Sequence, residues 1–90
     1  MSVEINIHLT HRQHTDNQKS IEVEGDTIGQ AISNLCKKYP NIEPELFEGK
    51  DKLAKHIEIY LNDESAYPDE LKKNTKHGDK IYITAILAGG

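Results

Sequence analysis

The sequence predicts one α+β domain in which a single main helix covers one face of a mixed sheet of four to five strands. Three observations support this. Several short segments alternate apolar and polar residues, which is the period of half-buried strands. Only residues 28–39 form a long amphipathic helical stripe. The chain has 90 residues, enough for one domain with one core, and its elements follow in the order β-β-α-β-(β)-β.

The N-terminal elements are predicted to be a hairpin. Residues 19–24 form its second strand, with Ile21 and Val23 facing inward, and the polar residues 10–18 form a loop or wide turn. The alternating apolar residues of the first strand are Val3, Ile5, Ile7 and Leu9.

The main helix begins after Gly25-Asp26-Thr27 and ends before Pro40. Thr27 and Gln30 have the spacing of a capping box, and proline disfavours helical geometry in the residue before it. The apolar stripe consists of Ile28, Ala31, Ile32, Leu35, Cys36 and Tyr39.

The C-terminal half is predicted to supply the rest of the sheet. Residues 41–55 form an irregular polar connection in which Leu46 and Phe47 make a short helical turn. Residues 57–61 form a third strand, Asn62-Asp63 a turn, and residues 64–66 a short fourth strand. After an irregular crossing over residues 67–77 and a tight turn at residues 77–79, residues 80–87 form the most apolar strand. We expect it between the two hairpins, beside and parallel to the first strand.

Composition narrows the functional classes. The net charge of −4 argues against a nucleic-acid partner. Cys36 is the single cysteine, so no intramolecular disulfide forms, which favours a reducing compartment. No signal peptide or apolar membrane span is evident, and we therefore expect a cytoplasmic protein without a membrane partner.

The C-terminus carries the candidate reactive site. An apolar strand runs into Leu87, Ala88, Gly89 and Gly90, so we divide the chain into a domain, residues 1–86, and a reactive tail, residues 87–90. Glycine lets a backbone pass through a narrow channel, and four extended residues reach about 13 Å. The carboxylate of Gly90 is a poor electrophile until an enzyme adenylates it with ATP.

Several motifs resemble the ubiquitin-like β-grasp sulfur carriers of the MoaD/ThiS group. They are Gly25-Asp26-Thr27, residues 59–64, Gly78-Asp79 and the tail. Within the group, His14-Thr15, residues 18–20 and Asn62-Asp63-Glu64 are similar to the CysO branch, the carriers for cysteine synthesis. Residues 85–87 depart from that branch, because Ala-Ile-Leu stands where its tails have Pro-Ala-Val, and so do Ser65-Ala66.

The resemblance implies a β-grasp fold with a flexible Gly-Gly tail and a chain that is not itself an enzyme. Gly90 would be adenylated by a ubiquitin-activating-type enzyme and converted to a thiocarboxylate. In the CysO branch the sulfur goes to a PLP-dependent cysteine synthase, and a zinc metalloprotease then releases cysteine. In the MoaD branch the sulfur goes instead to the molybdopterin dithiolene, and the partner is the large subunit of molybdopterin synthase. Two alternatives stay open: a protein modifier conjugated through Gly90, and a plain binding module.

Other candidate sites are weaker. His8, His11 and His14 are spaced by three, but in a loop this spacing aligns nothing, so we expect exposed histidines and no metal site. His56 and His77 have no evident partner in the sequence. Cys36 lies on the helical stripe and is predicted to be a core residue instead of a nucleophile. No catalytic group or bound cofactor is predicted.

One face of the last strand is a candidate docking surface. Tyr82, Thr84 and Ile86, together with Tyr60, are predicted to face away from the helix, where an enzyme that receives the tail would contact them. The alternative is that residues 41–55 or 64–77 fold over this face.

Overall fold

The computed structural model describes residues 2–49 and 52–85. The predictions for Ile86, Leu87, Ala88, Gly89 and Gly90 lie outside the described residues. The strands are β1 (Ser2–Ile7), β2 (Ser20–Glu24), β3 (Phe47–Gly49), β4 (Lys52–Leu53), β5 (Ile57–Leu61), β6 (Glu64–Ser65) and β7 (Lys80–Ala85). The α-helices are α1 (Ile28–Lys38) and α2 (Glu43–Leu46), and 3-10 helices span Leu9–His14, Pro40–Ile42 and Glu70–Lys72.

Five strands form a mixed sheet in the order β2-β1-β7-β5-β6. β7 lies between the two hairpins, parallel to β1 and antiparallel to β5, as the sequence predicts. Its register places Ile83 between Ile7 and Ile59. The most apolar strand is therefore central.

The core lies between one face of this sheet and α1. Alternate residues of β1, β2, β5 and β7 point toward the helix and are buried. The helix contributes the predicted stripe, Ile28, Ala31, Ile32, Leu35 and Cys36, of which the first four are fully buried. The half-buried Tyr39 packs at the edge of this core.

The start of α1 follows its predicted capping chemistry. The Thr27 hydroxyl oxygen accepts a hydrogen bond from the Gln30 backbone N–H at 3.0 Å. The Gln30 side chain accepts one from the Asp26 N–H at 2.6 Å, one residue before the cap. Side chains thus satisfy N–H groups that the first helical turn leaves free.

Two connections differ from the predictions. Leu9 does not extend β1; it begins a 3-10 helix and is 71% exposed, since the chain turns away from the sheet after Ile7. Residues 47–53 are not wholly irregular, because β3 and β4 pair as a small second sheet, with Phe47 opposite Leu53. Phe47 therefore starts a strand, whereas Leu46 is buried at the end of α2 as expected.

Candidate functional site

The described part of β7 ends at Ala85, which pairs with Ile57 at the start of β5. Because β1 and β7 are parallel, their carboxyl ends lie at the same end of the sheet. We call this the tail end, since residues 86–90 continue from it in sequence. The connections that lie here include residues 8–19, between β1 and β2, residues 54–56, before β5, and Pro40–Ile42, which packs against the 3-10 helix Leu9–His14.

The sheet face opposite α1 holds the described residues of the candidate docking surface. Tyr60 and Tyr82 are directly paired across β5 and β7, and both are half-buried. Thr84 lies on the same face, and its hydroxyl donates to the Glu58 carbonyl at 3.2 Å. The structure therefore brings Tyr60, Tyr82 and Thr84 together, while Ile86 lies outside the described residues.

Two segments of the connections that could have covered this face pack elsewhere. Pro40–Ile42 and Glu70–Lys72 contact α1, which lies on the other side of the sheet. Beyond Tyr82, the face continues across β1 and β2 with polar side chains, among them Glu4 and Glu22 in direct cross-strand pairing. Glu4 accepts a hydrogen bond from Asn6, and Glu22 accepts one from Ser2. The face thus combines an aromatic pair with an acidic margin.

The three histidines near the tail end do not behave as exposed loop residues. A 3-10 helix has three residues per turn, so side chains three apart align. His8 caps the 3-10 helix Leu9–His14, and its ring lies 6.2 Å from that of His11 in an edge-to-face arrangement. The expectation that this spacing aligns nothing was wrong, because the segment is helical and not an irregular loop.

His11 is also buried, with 4% of its surface exposed. Its Nδ1 atom is buried and has no hydrogen-bond partner within the described residues. Burial lowers the pKa of His11 below 6.5, and the nearby charge of Glu45 opposes this. Neutral His11 is therefore favoured in the folded protein. Across residues 2–49 and 52–85, no three His, Cys, Asp or Glu side chains are arranged to hold a metal ion.

Cys36 is a buried free thiol on the core face of α1. Burial, with a smaller contribution from Glu43, raises its pKa to about 11. Since the thiolate is the reactive form, Cys36 is chemically inert near neutral pH, and the prediction of a core cysteine is confirmed.

Within the two described segments, no helix has both the length and the apolar character that a membrane crossing requires.

Comparison with known proteins identifies a matching family and relatives that share this fold. The model of the ThiS family matches residues 3–90. The sulfur carrier protein CysO of Mycobacterium tuberculosis is 36% identical over 93 residues, covering 100% of both chains. The crystal structure of M. tuberculosis CysO superposes with a TM-score of 0.86 at 33% identity, covering 94% of this chain and 99% of that one.

Two other relatives extend the comparison. A chain of the BexX/CysO complex of Amycolatopsis orientalis is 30% identical, with a TM-score of 0.87 over 98% of this chain and 99% of that one. The small archaeal modifier protein 1 of Haloferax volcanii is 31% identical over 71 residues, or 78% of each chain. These likenesses confirm the predicted ubiquitin-like β-grasp fold and the resemblance to the MoaD/ThiS group.

Proposed function

We propose, from the premise that this chain belongs to the ThiS family, that it is a sulfur carrier of the CysO type. Its Gly90 carboxylate is adenylated and converted to a thiocarboxylate, which then donates sulfur for cysteine synthesis. The chain catalyses no step itself, acts in the cytoplasm, and binds no cofactor, because ATP belongs to the activating partner. The carrier role is supported by the 36% identity, over the full length of both chains, to the sulfur carrier protein CysO of M. tuberculosis.

One observation carries the proposal: the described part of the central strand β7 ends at Ala85, five residues before Gly90 in the sequence. β7 is paired with β1 over Lys80–Ile83 and with β5 over Ile81–Ala85, so each of its described residues is held by at least one neighbouring strand. From Ala85, five residues remain, which reach at most about 18 Å when extended. That length is sufficient to place Gly90 inside an enzyme while the folded domain stays outside.

The surface of Tyr60, Tyr82 and Thr84, extended by Ile86, is proposed to dock the partner enzymes. Half-exposed tyrosines supply large contact area together with a polar group, which is typical of interface centres. Leu87, Ala88 and Gly89 are proposed to serve as the narrow stem between this surface and Gly90. In this arrangement the rigid strand aims the tail at the partner's active site.

The proposed partners act in sequence on Gly90. A ubiquitin-activating-type enzyme forms the acyl-adenylate, and a sulfur source then displaces AMP to give the thiocarboxylate. In a CysO-type role, a PLP-dependent cysteine synthase accepts the sulfur and a zinc metalloprotease releases cysteine. In a MoaD-type role the partner would instead be the large subunit of molybdopterin synthase. The Amycolatopsis complex pairs a CysO with another protein, BexX, which is consistent with a carrier that docks onto enzymes.

The test is a mass measurement with three forms of the chain. After incubation with ATP, a sulfide source and the cognate activating enzyme, the wild-type chain should gain the mass that replacement of one oxygen by sulfur requires. A chain lacking Gly90 should gain nothing and keep its fold. Cys36→Ala should gain the same mass as the wild type, because the sulfur resides on the terminus and not on the thiol. An unchanged wild-type mass would count against the proposal.

A second role, conjugation to target proteins, is favoured by one observation. The small archaeal modifier protein 1 of Haloferax volcanii is named as a modifier and is 31% identical over 78% of this chain. Conjugation uses the same adenylated Gly90, with a lysine amine as the nucleophile. Gly-Gly remnants on lysines of host proteins, present with the gene and lost on its deletion, would establish this role.

A further inference from the structure

The charged residues of the connections are distributed unevenly between the two ends of the sheet. The tail-end connections, residues 8–19 and 54–56, contain three permanent cations, Arg12, Lys19 and Lys55, against one carboxylate, Asp16, and the carboxylate of Glu45 lies close to His11 at the same end. At the opposite end, residues 25–27, 62–63 and 73–79 contain three carboxylates, Asp26, Asp63 and Asp79, against two cations, Lys73 and Lys76. A chain with an overall charge of −4 therefore has a basic tail end.

The cations at the tail end lie close to the point from which the tail continues. Lys55 is exposed two residues before Ile57, which pairs with Ala85 at the described end of β7. Lys19 is exposed at the start of β2, and its carbonyl accepts a hydrogen bond from the Ile7 N–H. Both side chains thus belong to the sheet end that residues 86–90 leave.

Arg12 is held in place at the same end. Its Nε donates to the Ile7 carbonyl at 3.1 Å, and Ile7 pairs with Ile83 of β7. A guanidinium fixed through Nε keeps its terminal N–H groups in a rigid fork suited to carboxylates. Three further histidines near this end, His8, His14 and His56, add N–H donors; Glu45, close to His11, adds one negative charge.

We propose that the tail end, defined by Arg12, Lys19 and Lys55, docks against a ring of Asp and Glu side chains around the mouth of the channel that receives the tail in the activating enzyme. This deepens the proposed function and rests on it. A molecule with a basic tail end and an acidic far end is a dipole, so an acidic channel mouth turns the tail toward itself during approach. The contribution is to the rate of productive encounter, and the chemistry at Gly90 is unchanged.

Two double variants with equal charge change separate this effect from overall charge. Lys19→Glu/Lys55→Glu reverses two exposed lysines at the tail end. Lys73→Glu/Lys76→Glu reverses two exposed lysines at the far end, where the Lys73 carbonyl accepts from the Ile28 N–H at the start of α1. None of the four side chains is buried, so both variants should fold, which circular dichroism and urea unfolding check.

The readout is kcat/KM for carrier-dependent pyrophosphate release by the cognate activating enzyme, at low salt and at 0.5 M salt. The tail-end variant should lose about tenfold or more in kcat/KM at low salt with little change in kcat. The loss should shrink at 0.5 M salt, where screening acts within about 4 Å. The far-end variant should stay within about twofold of wild type.

Each outcome decides a different claim. Equal losses in both variants, or no loss in either, overturn the basic docking end while leaving the carrier function standing. A loss that persists unchanged at high salt also overturns it, because a contact between exposed charges must be screened. Failure of the wild-type chain itself to be adenylated overturns the proposed function and this inference with it.

Discussion

Replacement of Gly25 by alanine should destabilise the domain strongly, although only one methyl group is added. A Cβ at position 25 would lie 2.7 Å from the backbone N of Ala31 and 2.8 Å from its Cα and Cβ. The backbone of Gly25 is not in the left-handed region, so what glycine provides here is space and not conformational freedom. The connection after β2 and the first turn of α1 approach so closely that no side chain fits between them.

The size of the destabilisation by Gly25→Ala depends on which atoms would have to move. Two of the three close atoms belong to the helix backbone, which cannot rotate aside as a flexible side chain can. The connection itself is fixed, because the Thr75 hydroxyl donates to the Gly25 carbonyl at 2.7 Å in a buried hydrogen bond. Overpacking of a core costs about 1–3 kcal/mol, and we expect about 3 kcal/mol here because backbone must shift. That is a large fraction of the 5–15 kcal/mol typical of a domain.

The assay is urea unfolding of the wild type, Gly25→Ala and a matched control, Gly49→Ala. A Cβ at Gly49 meets nothing within 4 Å, and that backbone also lies outside the left-handed region. The control should therefore change the free energy of unfolding by no more than about 0.5 kcal/mol. If Gly25→Ala were as stable as Gly49→Ala, the argument from the close approach of α1 would be refuted.

Three further predictions concern the candidate site and the titrating groups. Tyr82→Ala removes an interface anchor and should lower kcat/KM for adenylation about tenfold or more through a higher KM. Ser20→Ala, on the same sheet face, should leave kcat/KM unchanged. Steady-state kinetics of both variants checks this. Since the pKa of His11 is lowered in the folded state, the unfolded chain takes up a proton on His11 before the folded chain does as pH falls below 6.5. The free energy of unfolding should therefore decrease with falling pH, by at most about 1.4 kcal/mol per pH unit. Urea unfolding at pH 5 to 8 measures this decrease, and His11→Phe should remove the part that is due to His11. The pKa of Cys36, about 11, leaves about 0.1% thiolate at pH 8, so iodoacetamide should label the native protein at least about 100-fold more slowly than the urea-unfolded protein; equal rates would contradict the buried thiol.

The sheet and the main helix could be predicted from the sequence because their patterns are locally complete. Alternation over β1, β2, β5 and β7 specifies which side chains are buried, and only one helical stripe is present to cover them. The central place of β7 followed from its apolar character. No such pattern marks β3 and β4, which are three and two residues long and depend on tertiary pairing of Phe47 with Leu53.

The burial of His11 illustrates a different limit. Its segment, residues 10–18, is polar throughout, and a polar segment is normally a solvated loop. The signal was present in the spacing of His8, His11 and His14, which matches the period of a 3-10 helix and not that of an α-helix. Nothing local indicated that Pro40–Ile42 would pack against this helix, so burial of the central histidine depended on the fold.

The motifs that carry the family resemblance within the described residues have structural roles. Gly25 gives α1 room, and Thr27 caps it. Gly78 has a φ of +88°. The Asn62 side chain joins the turn between β5 and β6 to the first residue of β7, because it accepts a hydrogen bond from the Lys80 N–H at 3.0 Å. These contacts lie at the end of the sheet opposite the tail, where they stabilise the fold. We therefore propose that these contacts do not set the choice of sulfur acceptor. We expect that choice to reside in the parts that an enzyme would contact under the proposed function: the face around Tyr82, the cations of the tail-end connections, and the tail itself. Exchanging residues 8–19 and 54–56 with those of a relative that serves another acceptor should therefore change enzyme preference while leaving stability nearly unchanged, which competition between the two enzymes for one carrier would measure.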